Sequence, residues 1–171
     1  MALTGKKLSL GEIALYGVLG ALVFGAKVVM AGLPNIEPVS LMVMIFAVTF
    51  GRKCLYPIYV YVTMEILVYG PGMWNLMYLY VWAILALAAW LMRKMEHPLG
   101  WALLSGTFGL LFGLLCTPVY ACFGGIGYAL TGWINGLFMD VLHCVGNFVV
   151  ALILFKPLRM LTGKLYAGMR K

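Results

Sequence analysis

Charged residues are scarce in this chain, and acidic residues are the scarcest. Aspartate and glutamate together number 5 of 171 residues, all charged types amount to 10%, and apolar types reach 64%. Soluble domains carry about a quarter charged residues, so this composition favours a membrane protein with several spans. The four cysteines form no Cys-x-x-Cys pair, so we predict neither a metal site nor a disulfide and interpret them as small buried apolar residues.

A phosphate-binding loop is also missing. The nearest approach, the segment 20–27, lacks the Gly-Lys-[Ser/Thr] core because Ala26 precedes Lys27, and it lies inside an apolar stretch with no strand before it. The chain is therefore predicted not to hydrolyse ATP, so uphill transport would need partner proteins. We also find no cleavable signal peptide and no wider catalytic constellation, and we expect a protein that is not an enzyme.

Six apolar segments account for most of the chain, and the basic residues fall in alternate connections between them. The segments are 12–31, 36–51, 54–70, 75–92, 101–122 and 133–157. Eleven of the twelve Lys and Arg residues lie before the first segment, after the second, after the fourth, or from the end of the sixth onwards. By the positive-inside rule these positions are cytoplasmic, which predicts one domain over 1–171 with six transmembrane helices and both termini inside. Anionic inner-leaflet lipid explains the net charge of +7 better than nucleic acid does.

Away from the cytoplasmic ends of the apolar segments, five charged or histidine residues lie in the outer half of the predicted membrane domain. They are Lys27, Glu37, Glu65, Asp140 and His143. Such groups are costly in lipid and mark function by default, so the pattern predicts a polar pocket that opens away from the cytoplasm. Two alternatives stay open, namely that Asp140 and His143 satisfy each other and that Lys27 pairs with Glu37 or Glu65 in a packed core.

The sixth segment has the most specific polar face. At 100° per residue, Gly136, Asp140, His143, Cys144 and Asn147 fall within an arc of roughly 100°. Aromatic residues around the third connection form either an ordinary interfacial belt or a surface on which a planar ligand stacks. The predicted ligand-binding residues are therefore Glu37, Glu65, Tyr69, Trp74, Tyr78, Asp140, His143 and Asn147.

Two stripes of small residues recur at every fourth position. Gly17, Ala21 and Gly25 form one in the first segment, and Ser105, Gly109 and Gly113 form the other in the fifth. In lipid, small residues let helices approach closely. We expect the second stripe to pack inside the protein. The first serves either internal packing or docking of another membrane subunit, and in the docking case Lys27 would point into the protein's own interior.

The assembled pattern resembles the substrate-binding S-components of energy-coupling-factor (ECF) vitamin transporters over the whole chain. In that family the first helix usually carries Ala-x-x-x-Ala, which Gly17-x-x-x-Ala21 resembles with a change that keeps the small size. The segments 33–40 (LPNIEPVS) and 138–147 (FMDVLHCVGN) look similar to the subgroup that handles cobalamin or queuosine precursors.

The resemblance implies a six-helix bundle in the bacterial cytoplasmic membrane that captures a micronutrient, with cobalamin as the best guess and no intrinsic cofactor. It would then topple against a transmembrane T-component driven by two cytoplasmic ATPases, with Gly17, Ala21 and Gly25 as the docking face. One competing hypothesis is an intramembrane enzyme that uses Asp140 and His143 as an acid–base pair. Another is a small channel or assembly protein, for which the inner half supplies no polar path.

Overall fold

Every regular element in the described part of the chain is helical. The computed structural model describes residues 8–32, 36 and 38–169. The helices are α1 (Leu10–Val29), α2 (Val39–Phe50), α3 (Leu55–Tyr69), α4 (Met73–Leu91) and α5 (Pro98–Gly168), and a 3-10 turn, Gly51–Cys54, joins α2 to α3. The predicted all-helical class is confirmed for these residues. Helices suit a membrane because each satisfies its own backbone hydrogen bonds without water.

The long helix α5 is interrupted at Gly125, where φ is +78° and ψ is 175°. Positive φ is readily adopted only by glycine, so this residue lets the chain reverse. The N-terminal arm (98–124) and the C-terminal arm (126–168) fold back on each other, with the rings of Trp101 and Phe155 stacked at 4.2 Å between centroids. The glycine-rich sequence between Phe123 and Gly132 favours a flexible outer loop, but that expectation is wrong, because only Gly125 leaves the helical conformation.

Small residues bring the two arms of α5 into close contact. A methyl group added at Gly109 would lie 2.7 Å from the carbonyl oxygen of His143, and one added at Gly106 would lie 3.2 Å from Cβ of Phe148. Ser105 in the same stripe is fully buried. The predicted internal packing of the Ser105, Gly109 and Gly113 stripe is confirmed by these contacts.

Four helical stretches among the described residues are long and apolar enough to cross a membrane. They are Leu10–Val29, Val39–Tyr69, Met73–Leu91 and Pro98–Gly168. At 1.5 Å per residue the last would extend about 100 Å if straight, far beyond a hydrocarbon core of about 30 Å. The reversal at Gly125 divides it into two arms, and the turn at Gly51, where φ is +58°, divides the second stretch. The number and orientation of membrane spans stay predictions.

A cluster around Glu12 joins three elements at one end of the bundle. Ser9 and Glu12 form a capping box at the start of α1, with each side chain bonded to the other residue's backbone N–H. The Glu12 carboxylate also accepts hydrogen bonds from Lys53 Nζ and, at 3.4 Å, from the Tyr166 hydroxyl. The start of α1, the 3-10 turn and the end of α5 are thereby held together. This packed end lies opposite the cavity described next.

Side-chain hydroxyls donate to two backbone carbonyls of α5 near Pro118 in the N-terminal arm. Pro118 has no N–H to donate to the Leu114 carbonyl, and the Thr117 hydroxyl donates to that oxygen instead, at 2.7 Å. The Tyr80 hydroxyl of α4 donates to the next carbonyl, that of Leu115, at 2.6 Å. This bond ties α4 to the arm where the arm reaches the cavity.

Candidate functional site

A cavity of about 800 Å³ opens at the end of the bundle where α1 and α3 finish and α4 begins. Its walls come from α1, α3, α4 and both arms of α5, together with the Gly70–Gly72 connection. This volume falls within the roughly 300–1,000 Å³ typical of small-molecule sites. The opposite end of the bundle is closed by the Glu12 cluster.

An ion pair lines one wall of the cavity. Lys27 Nζ at the end of α1 donates to Glu65 Oε2 of α3 at 3.0 Å and to the Tyr78 hydroxyl of α4 at 3.3 Å. The ammonium group also lies 5.2 Å from the centroid of the Tyr78 ring and 5.8 Å from that of Tyr61. Lys27 thus lines the cavity and also pairs with Glu65. Pairing with Glu37 or Glu65 was one of the alternatives predicted for this residue.

Asp140 and His143 line the facing wall, on the C-terminal arm of α5. Asp140 Oδ1 accepts a hydrogen bond from the backbone N–H of Gly113 at 3.0 Å, which is possible because Gly113 has no side chain to keep the carboxylate away. The His143 ring packs edge-on against Phe112 at 5.0 Å. Asp140 Oδ2 and His143 Nε2 are both buried, and neither has a hydrogen-bond partner among the described residues. The two side chains therefore do not satisfy each other, contrary to one of the alternatives.

Aromatic rings form much of the remaining wall. Tyr69 and Trp74 stand at the mouth, and Trp74 meets Tyr120 edge-to-face at 6.5 Å. Deeper in the wall, Tyr78 stacks on Tyr61 at 6.2 Å. Flat rings of this kind suit a planar ligand.

The structure brings most of the predicted ligand-binding residues together. Those that line the cavity are Glu65, Tyr69, Trp74, Tyr78, Asp140 and His143. Glu37 lies outside the described residues. Asn147 does not line the cavity, and whether any of these side chains binds a ligand stays a prediction.

Asn147 lies deeper in the bundle than the other polar residues of its face. Its amide donates to Ser40 Oγ of α2 at 3.0 Å and to the Ser105 carbonyl of the N-terminal arm at 3.4 Å. Both Asn147 and Ser40 are buried. The side chain therefore joins α2 to both arms of α5, which is a packing role rather than a wall of the cavity.

Sequence reasoning missed several residues of the cavity wall. They are Phe112, Cys116, Tyr120 and Trp133. The first three lie on the N-terminal arm near the small residue Gly113, which the sequence had placed against another helix. Pairing that arm with the polar face of the last segment would have found them. No signal in the sequence singled out Trp133.

The small-residue stripe of α1 faces outward. A methyl group added at Gly17 or Gly25 would meet no atom within 4 Å, and Ala21 between them is half-buried. The close contact with α3 is made instead by Gly20, whose added methyl group would lie 2.6 Å from Val60. This open face of α1 therefore makes no close helix contact at Gly17 or Gly25, and whether it serves the protein's own packing or docks a partner stays a prediction.

Comparison of the chain with protein-family models, curated proteins and solved structures yields no match in any of the three. Within the described residues, no group of three or more His, Cys, Asp or Glu side chains is placed to hold a metal ion. The features that indicate a function for this protein are therefore the cavity and the open face of α1.

Proposed function

We propose that this protein is the substrate-binding subunit of an ECF-type transporter in a bacterial cytoplasmic membrane, with six spans and both termini inside. The observation that supports it best is a cavity open at one end only, with buried carboxylates in its walls and a packed cluster at the other end. A binding protein needs one such opening, whereas a channel needs a polar path through both halves.

The open face of α1 supports the second part of the proposal. Gly17, Ala21 and Gly25 leave a shallow surface where another membrane helix could pack closely. The partner would be a transmembrane T-component acting with two cytoplasmic ATPases, since the chain carries no phosphate-binding loop of its own. Toppling of the loaded subunit against that component would deliver the ligand to the cytoplasm.

The proposed ligand is a vitamin or related micronutrient, with cobalamin or a queuosine precursor as the compounds that the sequence resemblance suggests. A compound as large as cobalamin would have to project through the mouth past Tyr69 and Trp74, whereas a smaller precursor fits inside. The alternative of an intramembrane enzyme is less well supported, because Asp140 and His143 form no hydrogen bond with each other or with another side chain among the described residues.

Native mass spectrometry of the protein purified in mild detergent tests the proposed function. We expect a bound small molecule that is released intact, without chemical change, when the complex is dissociated in the mass spectrometer. Steady conversion of that molecule to a product by the purified chain would support the enzyme instead. A protein that carries no small molecule and retains none from a cell extract would contradict the binding function.

Single-cysteine labelling tests the proposed orientation. In a background without the four native cysteines, Cys introduced at Gly72 or Gly127 should react with an impermeant maleimide added outside, and Cys at Lys94 should not. Gly127 is a better site than the neighbouring Gly125, because its added side chain meets no atom within 4 Å and its φ is not positive. The reverse labelling pattern would place the cavity mouth in the cytoplasm and exclude uptake.

A further inference from the structure

The two carboxylates in the described part of the cavity wall each use one oxygen for the protein and leave the other unused. Glu65 Oε2 accepts from Lys27 at 3.0 Å, and Asp140 Oδ1 accepts from the Gly113 N–H at 3.0 Å. Glu65 Oε1 and Asp140 Oδ2 are buried, and neither has a hydrogen-bond partner among the described residues. The two residues are only 6% and 5% exposed. A buried acceptor without a hydrogen bond is unfavourable, so each of these two oxygens requires a donor.

The other polar atoms of the wall that have no hydrogen-bond partner among the described residues do not form a binding site for an anion. His143 Nε2 can donate or accept depending on its tautomer, and Trp133 Nε1 is a single neutral donor. The cation of the described wall, Lys27, already pairs with Glu65 and bonds to Tyr78. An organic anion would therefore meet two carboxylates against one ammonium group that is already paired, and like charges at close range are unfavourable.

We propose that the cavity selects a planar nitrogen base that presents at least two N–H donors, one toward Glu65 on α3 and one toward Asp140 on α5. This inference rests on the proposed function and names the substrate class of the same cavity. Amino groups on a heteroaromatic ring supply such donors at fixed angles, and the rings of Tyr69, Trp74 and Tyr78 provide flat surfaces for the ring itself. Trp133 Nε1 would donate to a ring nitrogen or carbonyl of the same ligand.

A matched pair of bicyclic probes tests this class. The probe 2,4-diaminopteridine carries two amino donors, whereas 1,3-dimethyllumazine carries carbonyl acceptors at the same two ring positions and has no N–H group. Binding to ligand-free protein is measured by calorimetry and by quenching of tryptophan fluorescence, since Trp74 and Trp133 lie in the wall. A hydrogen bond to a charged group contributes about 1.5–3 kcal/mol, so we expect the diamino probe to bind roughly 10- to 150-fold more tightly.

Variants of the two carboxylates show whether the preference comes from these side chains. Asp140→Asn should reduce the preference for the diamino probe at least tenfold, and Glu65→Gln gives an independent test if the first variant does not fold. Asn135→Ala is the matched control, because this exposed residue on the same arm is not part of the cavity wall and should leave the preference unchanged.

The possible outcomes separate this inference from the proposed function. Equal binding of the two probes, tighter binding of 1,3-dimethyllumazine, or no binding of either would overturn the nitrogen-base class. If native mass spectrometry nevertheless finds a bound small molecule of another class, the proposed function stands and only the substrate class is wrong. If no bound molecule and no probe binding are found, both fail.

Discussion

Asp140→Asn is expected to weaken binding of the native ligand about 10- to 150-fold. This change corresponds to the loss of one hydrogen bond to a buried charged group, which contributes about 1.5–3 kcal/mol. The Gly113 N–H is a donor, so it favours the amide oxygen of the new side chain in the position of Oδ1. The amide nitrogen then occupies the position of Oδ2, where a donor replaces an acceptor. A ligand N–H that faced the carboxylate would meet another N–H, while the protein stays folded.

The measurement is equilibrium binding of the ligand identified by native mass spectrometry, with the Asn135→Ala protein as the control and its melting temperature as the check on folding. His143→Ala should reduce affinity on the same scale, because the ring is 3% exposed and its Nε2 is unused within the described structure. Unchanged affinity in both variants would place the site at the aromatic mouth and leave Asp140 and His143 as structural residues.

Gly113→Ala should reproduce the binding defect without changing any polar group. The added methyl group would collide with Oδ2 and Cγ of Asp140 and displace the carboxylate from its position beside residue 113. Gly127→Ala, on the same hairpin but with no atom within 4 Å of the new methyl group, is the matched control. If Gly113→Ala binds ligand as tightly as the unchanged protein, the position of the Asp140 carboxylate does not determine affinity.

Local signals predicted much of the fold and the buried carboxylates of the cavity wall. The capping box at Ser9 and Glu12 depends only on neighbouring residues, so a sequence motif is enough to find it. Helical periodicity likewise placed Asp140 and His143 on one face, and charge in an apolar segment marked Glu65. These inferences succeed because each depends on a regular helix and on the cost of burying charge, which hold in any such protein.

The depth of a residue in the bundle and its neighbours on other helices could not be predicted in the same way. Asn147 shares the face of Asp140 but lies seven residues further along, about 10 Å by the helical rise, and this distance places it beside Ser40 rather than in the cavity wall. The pairing of the two arms of α5 determines that Phe112, Cys116 and Tyr120 line the cavity. A single reversal at Gly125 sets that pairing, and glycine-rich sequence alone does not distinguish one reversing residue from a flexible loop.

The two small-residue stripes show the same limit. Both have the every-fourth spacing of helix contacts, yet Gly109 meets the backbone of His143 and Gly17 meets nothing within 4 Å. Spacing identifies a face on which close approach is possible, and only the arrangement of the other helices shows whether that face is already occupied. On α1 the glycine in closest contact with a neighbouring helix is Gly20, which lies outside the stripe.

Ala21→Trp is expected to abolish assembly with the T-component and ligand uptake by cells, while ligand binding by the isolated protein stays within about twofold of normal. The indole would project from the open face between Gly17 and Gly25, away from the cavity wall. Close packing of two helices in lipid depends on small residues at the contact, and a tryptophan there holds the backbones apart. Co-purification of tagged protein with the T-component and ATPases measures assembly, and calorimetry measures binding.

Substitutions at two neighbouring residues show whether the loss of assembly in Ala21→Trp depends on the position of the indole ring on the α1 face or only on its size. Leu22→Trp adds the same ring at an exposed position outside the stripe and should leave both assembly and binding intact. Gly20→Trp would force the ring into Val60 and the Pro57 carbonyl, so it should destabilise the isolated protein and lower its melting temperature. If Ala21→Trp behaved like Gly20→Trp, the stripe would serve the protein's own packing. If it behaved like Leu22→Trp, the T-component would have to dock on another surface, since the α1 face would tolerate a ring that no close helix contact can accommodate.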